Sequence, residues 1–362
     1  LPDGTEKINQ KGIEFYQSLV RELKAAGIEP MVTLYHWDLP YALYLQGGWK
    51  NPQIPDWFAA YTKIVVEALS DQVQYWMTLN EPQCFVGIGH LQGRHAPFLD
   101  EPASLRPVTR HVLLAHAKAV QTIRQYAKLP PKVGYAPTGP VFSPCGDESE
   151  AAIAEAYRRT MEVEGCYSIS WWCDPVLLGR VPEPMAKALG ADVFTPQELE
   201  LLHQPLDYLG FNVYNACAAQ QPGSEYTANT WQGSPRTAME WPITPDCIYW
   251  AIRFLNQRYG RPILITENGM ANTDFVMLDG KVHDPQRIDY VHRHLLAARR
   301  ALQEGYPLIG YTYWSIMDNY EWAEGYSKRF GLIYVDYRTM ERIPKDSAAW
   351  YAHVIATNGS EL

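Results

Sequence analysis

Two glutamates stand where short apolar runs end. Glu81 follows Val73-Gln74-Tyr75-Trp76-Met77-Thr78-Leu79-Asn80 and precedes Pro82; Glu267 follows Arg261-Pro262-Ile263-Leu264-Ile265-Thr266 and precedes Asn268-Gly269. Runs of this composition, bordered by Pro or Gly, read as strands covered on both faces, so each carboxylate falls at a strand exit. Strand exits are where parallel sheets and barrels carry their working residues. A single glutamate there can equally cap the next helix or pair with an arginine. The surroundings add weight. His36, Asn80, Asn212 and Glu321 supply hydrogen-bond donors and acceptors, and Trp37, Tyr214, Trp314 and Trp322 supply flat apolar faces. Taken one at a time, each aromatic reads as core packing and His36 as a satisfied internal imidazole. Gathered at strand exits, they suit a sugar ring, which has polar edges and apolar C–H faces. Two acids across a sugar are the requirement of glycoside hydrolysis: one protonates the leaving oxygen while the other attacks or activates water, according to their separation. The residues alone leave that choice open.

The elements that must hold these groups alternate along the chain. A helical pattern from Asn9 to Gly27 is followed by a strand over Ile28–Leu34, which exits into His36 and Trp37. Helices over Trp57–Leu69 and Thr109–Tyr126 flank the Glu81 strand, and Lys132–Ala136 is a further strand. One long helix is expected over Ser149–Trp172, and a strand over Pro205–Tyr214 ends in Asn212 and Tyr214. The polar stretch 215–243 reads as a loop or hairpin. Helices Cys247–Tyr259, Pro285–Gln303 and Lys345–Ala356 then surround the Glu267 strand and a last strand, Leu308–Trp314. Six apolar strands in strict alternation with helices require parallel pairing with helical crossovers, an α/β fold. No GxGxxG follows a strand, and candidate groups sit at nearly every exit and not at one switch point, which favours a (β/α)8 barrel over an open sheet.

Composition narrows the classes of partner. Net charge is −9 with scattered Lys and Arg, which disfavours nucleic acid, and no apolar run reaches the roughly 18 to 20 residues of a membrane span. Cys84, Cys145, Cys166, Cys173, Cys217 and Cys247 form no CxxC pair and have no His at zinc spacing, so neither a metal nor another cofactor is expected. Six thiols among apolar and aromatic neighbours fit a reducing cytoplasm better than a disulfide scaffold.

Several segments together resemble the family 1 glycoside hydrolases, the β-glucosidase group. Thr78-Leu79-Asn80-Glu81-Pro82 and Ile265-Thr266-Glu267-Asn268-Gly269 look like its two signature segments. Thr33-Leu34-Tyr35-His36-Trp37-Asp38-Leu39-Pro40, Gly48-Trp49, Asn212-Val213-Tyr214 and the run from Trp314 to Tyr326 match further segments in the same order. The resemblance implies a (β/α)8 TIM barrel that hydrolyses β-glycosides with retention, Glu81 serving as acid and base and Glu267 as nucleophile. It also implies that His36, Trp37, Asn80, Asn212, Tyr214, Trp314, Glu321 and Trp322 surround the sugar. The branch acting on phosphorylated sugars carries small and basic residues where Glu321 and Trp322 stand here. An unphosphorylated glucoside, aryl or cello-oligosaccharide, is therefore the expected small-molecule partner.

The family pattern begins before Leu1, so residues 1–362 are expected to be a single catalytic domain with about six of eight βα units, the absent part amounting to roughly 80 residues. The open barrel edge would then be closed by self-association or by a complementing segment, and the chain alone would have little activity. The alternatives are a transglycosylase using the same site and a non-catalytic sugar-binding remnant.

Overall fold

The computed structural model describes residues 1, 3–4, 7–219 and 233–362. The expected loop over 215–243 falls partly outside them. In chain order the elements are α1 (Gln10–Ala25), β1 (Met31–Tyr35), α2 (Tyr41–Tyr44), α3 (Ile54–Leu69), β2 (Tyr75–Asn80), α4 (Leu105–Tyr126), β3 (Lys132–Ala136), β4 (Val141–Ser143), α5 (Glu150–Met161), α6 (Ile169–Leu177), α7 (Glu183–Leu189) and α8 (Pro196–Leu202). There follow β5 (Leu209–Asn212), β6 (Ala216–Ala218), α9 (Cys247–Tyr259), β7 (Ile263–Asn268), α10 (Pro285–Gln303), β8 (Leu308–Tyr313), β9 (Ile333–Asp336), β10 (Glu341–Pro344) and α11 (Asp346–Ala356). They fall into two compact units: Leu1–Gly139 with Glu162–Gly210, and Pro140–Met161 with Phe211–Leu362.

In the first unit β1, β2 and β3 form a parallel sheet, with Val32 beside Trp76 and Trp76 beside Val133. Parallel neighbours need crossovers, and α3 and α4 supply them. Asn9 starts α1 by accepting the Gly12 N–H at 3.2 Å, and Pro55 stands in the first turn of α3, where its missing N–H costs nothing. Val66, Trp76, Leu79, Val112, Val120, Ile123 and Val133 are fully buried between sheet and helices. That burial explains why the strands read as continuous apolar runs.

In the second unit the sheet order is β5-β7-β8, with β7 and β8 parallel. Ile252, Phe254, Leu255, Ile263, Ile265 and Val291 make its core. Two small sheets were not expected: β4 pairs with β6 in parallel, and β9 with β10 antiparallel. Strict helix–strand alternation is thus corrected. These strands have three or four residues, too few for a period-2 pattern to stand out. The expected helix over Ser149–Trp172 is broken as well. It divides into α5 and α6 around Gly165, whose φ of +75° lies where an L side chain is strained.

Candidate active site

In the first unit the exits of β1 and β2 bring four of the expected residues together. His36 Nε2 lies 3.2 Å from Asn80 Nδ2, and the Trp37 indole N–H donates to the Asn80 carbonyl at 2.9 Å. Burial lowers the His36 pKa to about 4, so near neutrality its ring is uncharged and Nε2 can accept the amide proton. Asn80 and Glu81 are buried, and the Glu81 N–H donates to Ala136 at 2.8 Å, tying the β2 exit to β3. Behind them Thr78 meets His116 Nδ1 of α4 at 2.6 Å; burial holds that imidazole at about 3. The Trp37 and Glu81 backbones are left-handed, with φ of 79° and 43°. Neither is glycine, so the surrounding packing must hold them there.

In the second unit β5 and β7 gather Asn212, Tyr214 and Glu267. The Tyr214 hydroxyl donates to Glu267 Oε2 at 2.6 Å, and the Thr266 hydroxyl to Asn212 Oδ1 at 2.5 Å. Tyr214 was expected to offer a flat face; its ring instead packs on Trp241 and Phe330, and its phenol addresses the carboxylate. Asn268 is structural: its amide donates to the Val213 carbonyl at 2.7 Å and accepts from the Tyr311 hydroxyl at 2.7 Å. Gly269 follows because a Cβ there would lie 2.0 Å from the Trp314 carbonyl oxygen. Trp314, at the exit of β8, donates its N–H to the Asn268 carbonyl at 2.9 Å. Glu321 and Trp322 stand further along the loop after β8. Trp322 has φ of 43°, and the Glu321 N–H donates to Gly325 at 2.7 Å.

Beneath that loop lies a buried ionic cluster that no spacing announced. Lys345 Nζ sits 2.5 Å from Asp274 and 2.9 Å from Asp318; Arg329 meets Asp318 at 2.6 Å. Arg287 joins Asp274 at 2.6 Å and also pairs with Asp284, which accepts from the Ser347 N–H and hydroxyl. Three carboxylates and three cations balance. Asp318 also accepts the Gly331 N–H, so the segment carrying Glu321 and Trp322 is fastened at its base.

The buried imidazoles make stability depend on pH. His36 and His294 are held at about 4 and His116 at about 3, all by burial. Between these values and the unfolded pKa of about 6.5, only the unfolded chain binds the protons, so stability present above 6.5 is lost as pH falls. His283, raised by Asp346 and Asp279, acts in the opposite sense but is exposed and screened. Thermal midpoints should therefore decline from about pH 6.5 to 5, above the range where ordinary carboxylates titrate. A flat or rising profile over that interval would contradict the neutral assignment.

This chain belongs to family 1 of the glycosyl hydrolases, whose sequence pattern matches residues 1–360. It is a glycoside hydrolase, and its fold class is the (β/α)8 barrel of that family. Among its relatives, β-glucosidase A of Thermotoga maritima is 40% identical over 100% of this chain and 81% of its own length. The bifunctional β-D-glucosidase/β-D-fucosidase of Bifidobacterium breve is 38% identical over 99% of this chain and 81% of its own length. Of the solved structures, the T. maritima β-glucosidase in complex with deoxynojirimycin superposes with a TM-score of 0.88 at 40% identity, covering 99% of this chain and 80% of that one. No helix among the described residues is long and apolar enough to cross a membrane, and no group of three or more His, Cys, Asp or Glu among them could hold a metal ion.

Proposed function

We propose that this chain is a retaining exo-β-glucosidase acting on unphosphorylated β-D-glucosides, aryl glucosides and cello-oligosaccharides among them, with residues 1–362 serving as one catalytic domain. The observation that carries the reading is the 2.6 Å hydrogen bond from the Tyr214 hydroxyl to Glu267 Oε2 at the exit of β7. A phenol donating to one oxygen favours the ionised carboxylate and fixes its orientation, which is what a nucleophile requires. Glu267 attacks the anomeric carbon while Glu81 gives its proton to the departing oxygen. Esterification removes the charge of Glu267, and Glu81 then takes a proton from the water that hydrolyses the ester.

His36, Trp37, Asn80, Asn212, Trp314, Glu321 and Trp322 complete the binding of the sugar in this reading. The names of the relatives support glucose as that sugar, and B. breve's enzyme adds fucose. Glu321 disfavours a phosphate on the sugar, since two negative groups at contact repel. A cytoplasmic setting belongs to the same reading, supported by six cysteines with no disulfide among the described residues. Proton NMR of an aryl β-glucoside during turnover tests the stereochemistry: β-glucose should appear first and mutarotate afterwards. First appearance of α-glucose would refute retention, and absence of turnover would refute the activity.

A further inference from the structure

Glu81 is contacted twice by the residue three positions beyond it. The Cys84 N–H donates to the Glu81 carbonyl at 2.9 Å, and Cys84 Sγ lies 3.0 Å from Glu81 Oε2. The local backbone brings this about. Glu81 is left-handed at φ 43°, Pro82 turns the chain, and a π-helix over Gln83–Leu91 begins at once, so residue 84 returns onto residue 81. Packing does not account for the thiol: Phe85 and Val86, next along the same helix, fill the core, whereas Cys84 is only half-buried. An S–H is a donor, and an ionised carboxylate can only accept.

We propose that Cys84 is a positioning residue for the acid/base Glu81: its thiol donates to Oε2, which favours the ionised carboxyl and fixes the orientation of the group. This rests on the acid/base role of Glu81. The titratable groups facing this corner are His36, reached through Asn80; His116, reached through Thr78; and Tyr167, whose surroundings include Cys166, Cys84 and Arg94. The imidazoles lie at about 4 and 3, and burial with the neighbouring thiols pushes the Tyr167 phenol to about 12. None of these three titrates between pH 5 and 9, which leaves the Glu81 carboxyl and the Cys84 thiol to set an alkaline limb there; the thiol is absent from both variants, so its own titration would displace both equally. Any influence of Glu267 is common to parent and variants.

The test is the pH profile of kcat/KM for an aryl β-glucoside with a poor leaving group, measured for the parent, Cys84→Val and Cys84→Ser. Valine keeps the volume and removes the donor, so its alkaline limb should move upward by about one pH unit. Serine keeps a donor, and its limb should stay within about 0.3 unit of the parent. A Cys84→Val limb coincident with the parent's overturns the proposal, and so does an equal displacement in both variants. Should the valine variant fail to fold by thermal scan, Cys84→Ala is read in the same way. Glu81→Ala separates the two levels: if it remains fully active, the acid/base reading falls, whereas a collapsed Glu81→Ala beside an unmoved Cys84→Val limb removes the thiol's role alone.

Discussion

In Glu267→Gly, hydrolysis of an aryl β-glucoside should fall by at least about 10⁴-fold, because no group remains to form the covalent ester. Binding should persist, since the residues proposed to hold the sugar at the β1, β2 and β8 exits are untouched. Added azide should then restore turnover of a glucoside with a good leaving group. It fits the space left by the side chain and attacks from the face Glu267 used, so the product should be the α-glucosyl azide, inverted relative to the substrate. Chromatography and NMR of the product decide the matter. If azide restores nothing while Glu81→Ala keeps full activity, both roles are misassigned.

The second large effect is expected on stability. Lys345→Met removes one cation from the buried cluster and leaves Asp274 and Asp318 short of a partner where water cannot compensate. Breaking one member of such a network costs on the order of 3–5 kcal/mol, whereas replacing a whole buried pair by packed apolar residues is often neutral. A denaturation midpoint followed by tryptophan fluorescence should fall accordingly. Because Asp318 also anchors the segment that carries Glu321 and Trp322, KM should rise more than kcat falls at temperatures where the variant remains folded. A midpoint within about 0.5 kcal/mol of the parent, the scatter of ordinary surface substitutions, would show that the cluster contributes little.

What could be read from the sequence followed from locality. Glu81 and Glu267 were visible because each ends an unbroken apolar run, and His36, Trp37 and Asn80 because they lie within a residue or two of strand exits. The cluster of Asp274, Asp284, Asp318, Arg287, Arg329 and Lys345 was not visible, since its members come from separate segments and meet only after folding. For Tyr214 the residue type suggested a ring face, whereas the hydrogen bond of its hydroxyl to Glu267 became visible only in the fold. Cys84 escaped notice because a thiol three residues beyond a carboxylate contacts it only when the intervening backbone bends unusually. The break in the expected long helix has the same origin in backbone geometry, with Glu164 and Ser168 extended on either side of the left-handed Gly165.

The left-handed backbones at Trp37, Glu81 and Trp322 have an evolutionary consequence. Each conformation is disfavoured by about 1–3 kcal/mol for a side-chain-bearing residue, and glycine would relieve it. A laboratory lineage selected for heat resistance alone, with no demand for turnover, would find glycine most rewarding at three positions proposed to serve the sugar, and would drift toward a sturdier, idle protein.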